Sequence, residues 1–158
     1  MKLKTKTLLR MMLLLPFLAL EIACGDKTEA CLQDDGFTEI YKGELSGNGT
    51  EKIDKSNLVI KNQSEWSDLM NQMKDSIYSI TDNFTEINID FDNYMILAAF
   101  DEIKQTGGHS IDIVDITCNR NKIVISVRNL NNGNLTSVIT QPFHIIKIPR
   151  TEKQITFD

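Results

Sequence analysis

Met95-Ile-Leu-Ala-Ala-Phe100 is apolar at every position and is followed at once by Asp101-Glu102. A short unbroken apolar run with polar borders reads as a strand buried on both faces. Successive side chains of a strand point to opposite sides, so apolar material must cover each face. Trp66, Leu69, Met70 and Met73 recur at i, i+3, i+4 and i+7, which is one face of an amphipathic helix. Asn62 or Ser64 can cap its start. Downstream, Ile111 and Ile113, then Val114, Ile116 and Cys118, make a strand whose phase slips between 113 and 114, the mark of a β-bulge. Lys122 to Arg128 alternates around Ile123, Ile125 and Val127, and Val138 to Ile148 closes the sheet, with Pro142 expected to break it in two. Ile155 and Phe157 suit an edge strand, as do Phe37–Leu45 and Leu58–Ile60 for earlier strands. Ile87, Ile89 and Phe91 alternate like a strand with one wet face. The expected class is α+β, mostly β: an antiparallel sheet with one amphipathic helix packed on it.

The start of the chain is different in kind. Lys2, Lys4, Lys6 and Arg10 are the only charges in the first twenty residues, and Met11 to Leu20 is apolar. Ten helical residues span about 15 Å, half a bilayer core. A basic start and a short apolar stretch ending in small residues is a secretory signal peptide, here residues 1–23. Ala23-Cys24 resembles the end of a bacterial lipobox, which would make Cys24 a lipid-bearing N-terminus and the protein an anchored lipoprotein. Glu21 stands where that pattern has an apolar residue, so secretion without an anchor is the alternative. Gly25 rather than Asp after the cysteine implies, by the Gram-negative sorting rule, the outer membrane. Residues 24–36 read as a polar tether and 37–158 as a single globular domain.

Removing residues 1–23 takes four of 17 Lys+Arg and one of 22 Asp+Glu, leaving 13 against 21 and a formal charge of −8. That excludes nucleic acid and anionic lipid surfaces as natural partners, so the membrane would be met only through the N-terminal lipid. With Cys24 acylated, Cys31 and Cys118 form an even pair that an oxidising compartment could join. Two unrelated cysteines are the alternative.

Enzyme readings are thin. No nucleophile elbow frames the Ser, His and Asp present. The only histidines, His109 and His144, fall short of the ligands zinc needs. Asp90-Phe91-Asp92-Asn93 lacks the Gly and Glu of a calcium loop. Asp101 and Glu102 read as a solvated loop. Neither metal, cofactor nor catalysis is expected. Asp75-Ser76-Ile77 resembles an O-glycan acceptor of exported bacterial proteins.

Strand parity points instead to a surface. If the chain climbs to Phe100, descends to the 119–121 turn and climbs again from Lys122, then the 101–109 and 129–142 connections share one end. Thr106, Gly107, Gly108 and His109 would then meet Pro142, Phe143 and His144 in a patch for a partner protein. The alternative is that Gly107-Gly108 serves a turn and Phe143 fills the core.

Four motifs in order carry a resemblance: Ile89-Asp90-Phe91, the 95–100 run, Thr106-Gly107-Gly108-His109, and Thr140-Gln141-Pro142-Phe143-His144 ahead of Ile145–Pro149. Across about residues 58–150 the chain resembles the C-terminal domain of the protease complex subunit PrcB family. His109 and Phe143 stand where that family usually has Tyr. The resemblance implies an exported or lipid-anchored accessory protein, linked to a surface protease complex and not itself catalytic. Inhibition of a protease through loops 101–109 and 129–144 is the alternative role.

Overall fold

The computed structural model describes residues 36–48, 51–74 and 79–158. The signal, Cys24, Cys31, nearly all of the tether and the Asp75-Ser76-Ile77 triplet lie outside them.

Among the described residues, seven strands and one α-helix follow in the order β1 (Thr38–Leu45), β2 (Ser56–Ile60), α1 (Gln63–Met73), β3 (Tyr94–Phe100), β4 (Asp112–Cys118), β5 (Lys122–Arg128), β6 (Gln141–Pro149) and β7 (Gln154–Phe157), with a short 3-10 turn at Ile80–Asn83 before β3. They form two sheets rather than one. The first is antiparallel with order β1-β6-β3-β2, and the second has order β4-β5-β7. β3 already carries β2 on one side and β6 on the other, so β4 has no edge of β3 to join. It starts a second layer instead. β5 and β7 run parallel, so the second sheet is mixed.

The first sheet is the middle layer, which is why β3 is apolar throughout. Ile96, Ala98 and Phe100 face the helix side with Trp66, Leu69, Met70 and Met73. Met95, Leu97 and Ala99 face the second sheet with Ile113, Cys118, Ile123 and Ile125. Each large buried side chain contributes about 1.5–3 kcal/mol of hydrophobic free energy. Asn62 caps α1 by accepting the Glu65 amide at 3.0 Å, and the Glu65 carboxylate returns to the Lys61 amide at 2.9 Å. Between them they satisfy two amides at or beside the helix start.

Two expectations are corrected. Residues 84–93 are a strap, not a strand. The alternation would put Ile87, Ile89 and Phe91 on one covered face, but Ile89 is buried while Ile87 is exposed, and the backbone is tied elsewhere. The Ile87 carbonyl accepts the Trp66 indole N–H at 2.9 Å, and Asp90 caps its own turn by bonding Asp92 and Asn93. Pro142 does not divide β6, which is continuous from Gln141 to Pro149. The Pro142 carbonyl accepts the Asp101 amide at 3.0 Å. The reciprocal bond, which proline cannot donate, is supplied by the Gln141 side-chain amide to the Asp101 carbonyl at 2.9 Å.

The phase slip does mark a bulge, at Val114 between Ile113 and Asp115. Cys118 is buried at the far end of β4 and is disulfide-bonded. Its expected partner, Cys31, lies outside the described residues.

Candidate functional site

Leu45, Ser56, Phe100 and Gln141 end the first sheet at one pole, and Asp112 and Arg128 end the second there. The 101–111 and 129–140 connections cover this pole together, as strand parity required. Thr38, paired with Lys147, enters at the opposite pole, where Cys118 and the 119–121 turn also lie.

Beneath the loops runs a seam of buried charge. Asp101 is 1 % exposed and is reached by Lys55 at 3.1 Å, Lys104 at 3.0 Å and Asn129 at 2.7 Å. Burial alone would raise its pKa, but the hydrogen bonds from Lys104, the Glu102 amide and Lys55 win and hold it at about 2. Asp101 is therefore a structural anion, not the solvated loop residue its sequence neighbourhood suggested. Asp112 accepts from Ser110 and, at 2.9 Å, from Lys42 across the two sheets. Burial opposes its charge, yet those two donors keep it below the usual carboxylate range.

His144 completes the seam. Its Nδ1 accepts the Ile113 amide at 2.9 Å. Its Nε2 lies 3.1 Å from Glu39 Oε2, close enough for attraction, but makes no hydrogen bond among the described residues. Burial pushes its pKa down, with the Glu39 carboxylate opposing. Every charged group in the seam is occupied by a neighbour in the fold. Among the described residues, no three or more His, Cys, Asp or Glu side chains cluster as a metal site.

The two loops clasp each other. The Gly107 amide donates to the Thr136 carbonyl at 3.1 Å, and the Asn134 amide to the Gly107 carbonyl at 2.8 Å. Gly108 takes φ +75°, and a Cβ there would stand 2.5 Å from the Asn134 side chain. Gly133 takes φ +91°, and its Cβ would meet the His109 ring at 2.3 Å. His109 is half-buried and shares a 2.8 Å hydrogen bond with Thr106.

The patch expected from sequence thus divides. Thr106, Gly108 and His109 reach the surface, with Gly107 buried beneath. Pro142, Phe143 and His144 do not. Phe143 stacks on Phe100 at 5.7 Å and approaches Tyr41 at 5.9 Å. It fills the core, as the alternative reading held, because β6 is a central strand with both faces covered. What the sequence reading overlooked is the outer surface of the second loop. Residues 128–139 are all exposed, and they include Leu130, Leu135, Val138 and Ile139. Val138 and Ile139 also line an open groove of about 440 Å³ with Leu45 and Ile80. The signal was available: no charged residue occurs between Arg128 and His144 in a chain that is 25 % charged.

Fold and pole together define a helix–sheet–sheet module that presents two interlocked loops at one end. Residues 95–149 match the family model described as PrcB C-terminal. The match runs from the buried run of β3 to the end of β6, so both loops of the pole fall inside it. No curated protein and no solved structure was found to match the chain.

Proposed function

We propose that this chain is an exported, lipid-anchored and non-catalytic accessory protein of a cell-envelope protease assembly, and that it binds a partner protein through the loop pole. The observation that carries the reading is the PrcB C-terminal match over residues 95–149. The surface supports it, because uncharged apolar side chains there lie exposed on a module whose buried charges are all spent internally. Topology supports it too. The chain enters β1 at the opposite pole, so an anchor at Cys24 leaves the loops facing away from the membrane. Gly25 after the cysteine favours the outer membrane.

The test is affinity capture of the tagged full chain from a cross-linked envelope fraction, read by mass spectrometry. A peptidase subunit is expected with the wild type. It should be lost with Val138→Glu/Ile139→Glu and kept with Arg120→Glu at the far pole. Equal recovery by all three would remove the loop pole as the contact. Acylation is checked separately: a palmitate analogue should label the wild type and not Cys24→Ser.

A further inference from the structure

Leu135 is fully exposed, although nothing about its position requires an apolar side chain. It stands at the apex of the second loop between two residues that are held firmly. Asn134 bonds the Gly107 carbonyl through its amide, and the Thr136 carbonyl takes the Gly107 amide. The Asn134 side chain also accepts the Thr136 amide at 2.8 Å, closing a small ring beneath Leu135. Further back, the Asn131 carbonyl accepts the Ser110 amide at 3.1 Å, and Gly133 lies under the His109 ring. The loop is fixed at both shoulders, so little conformational entropy remains to be lost on docking. Among the described residues, the amide and carbonyl of Leu135 itself are unpaired. Leu135 thus offers a partner an apolar side chain and its own free backbone groups, held out on a rigid convex loop. It fits a cleft that pairs with backbone and closes around one side chain.

We propose that Leu135 is a recognition anchor for the apolar primary pocket of an endopeptidase, and that the 129–139 loop occupies the substrate cleft as a tight, substrate-like inhibitor. This rests on the loop pole being the partner-binding surface and names the partner's chemistry. The pocket is apolar and uncharged because the loop offers it no charge: from Asn129 to Phe143 there is no Asp, Glu, Lys, Arg or His. A cleft selective for basic side chains carries a buried acid that Leu135 would leave unpaired.

The experiment measures inhibition by the purified full chain against chymotrypsin and subtilisin, which have apolar pockets, and against trypsin, whose pocket is acidic. Chymotrypsin or subtilisin should be inhibited competitively and trypsin spared. Leu135→Asp should weaken inhibition by at least about 30-fold, the loss expected of a central anchor. Leu135→Lys should move inhibition to trypsin. Because the residue is fully exposed, these variants fold as the wild type does. The idea is overturned by failure to inhibit either apolar-pocket enzyme, by inhibition that Leu135→Asp leaves intact, or by simple turnover of the Leu135–Thr136 bond. If that happens while Val138→Glu/Ile139→Glu still abolishes envelope capture, the anchor role alone falls and the partner-binding reading stands.

Discussion

The backbone amide of Ile113 donates to Nδ1 of His144 at 2.9 Å, so that one imidazole joins the two sheets. Val127, opposite Ile113, turns its own N–H toward the Asp158 carbonyl. Ile113 therefore points its amide off the open edge of β4, where it is buried and needs an acceptor. Accepting through Nδ1 assigns the neutral ring with its proton on Nε2. The same seam is crossed by Lys42 on Asp112, so the sheets are held together by polar contacts near the loop pole and by the apolar layer below.

This arrangement makes the fold acid-sensitive in a defined window. Burial lowers the His144 pKa from 6.5. Lys42 adds to the depression, and the Glu39 and Asp112 carboxylates oppose it. The unfolded chain then binds a proton that the folded chain resists. This contribution to stability is complete above the unfolded value of 6.5 and is lost as pH falls from there toward the lower folded value. Urea unfolding between about pH 8 and pH 5 should show that slope in the wild type. His144→Asn, whose side-chain oxygen can accept the Ile113 amide, should flatten it. His144→Leu should cost about 1–3 kcal/mol even at the alkaline end, by orphaning that amide. An unchanged slope in His144→Asn would exonerate the imidazole.

A second window belongs to Asp101. Its pKa is about 2 in the fold against an ordinary 3.8. The depressed carboxylate contributes stability above the ordinary value and loses it as pH falls toward the folded one, an amount of about 2 kcal/mol. Asp101→Asn should remove about that much at neutral pH and abolish the corresponding acid transition. Lys55 is mostly exposed, so its own removal should cost less than about 1 kcal/mol. If Lys55→Ala proved as damaging as Asp101→Asn, the buried pair with Lys104 would not be the principal contact.

Gln141 and Pro142 should behave as one unit. The Gln141 side chain supplies the Asp101 carbonyl with the bond that a backbone amide at 142 would otherwise give, and it also donates to the Ile53 carbonyl at 2.8 Å. Gln141→Leu should therefore cost about 1–3 kcal/mol. Adding Pro142→Ala restores a backbone donor and should recover part of that loss, giving a coupling of about 0.5 kcal/mol or more. Strictly additive effects in that double-mutant cycle would show that the two groups do not share the Asp101 carbonyl.

Residues with a clear period were legible from sequence, and residues whose role depends on a distant partner were not. The Trp66 helix, the twice-buried β3 and the bulge at Val114 follow from spacing alone, because each is set by local geometry. The division into two sheets was hidden, since a strand's alternation reports that one face is covered without saying by which layer. Ile87, Ile89 and Phe91 misled because their alternation in sequence is not matched by burial, Ile87 being exposed and Ile89 buried, and the Trp66 indole takes the carbonyl a ladder would have used. At the pole, the sharing of one end by both loops was readable from strand direction. Phe143 and His144 were misplaced on the surface because their motif looks like a recognition sequence. In the fold, Pro142, Phe143 and His144 are explained by a side-chain donor that replaces the missing amide, a ring stack and a bridging acceptor. Leu135 was passed over because a lone leucine among asparagines has no period at all.

Phe143 and Leu135 therefore separate folding from recognition, and one pair of substitutions can show it. Phe143 is fully buried and stacks on Phe100. Truncating such a ring leaves a cavity that β6, central in its sheet, cannot collapse to fill, so Phe143→Ala should cost about 3–5 kcal/mol. For a domain of this size that lowers the melting temperature by more than about 10 °C. Leu135→Ala removes a side chain that touches only solvent and should change stability by no more than about 0.5 kcal/mol. Lost partner binding in Phe143→Ala would thus report unfolding, whereas the same loss in a normally melting Leu135→Ala would report contact. A Phe143→Ala protein that melts with the wild type would contradict the packing and return Phe143 to the list of surface candidates.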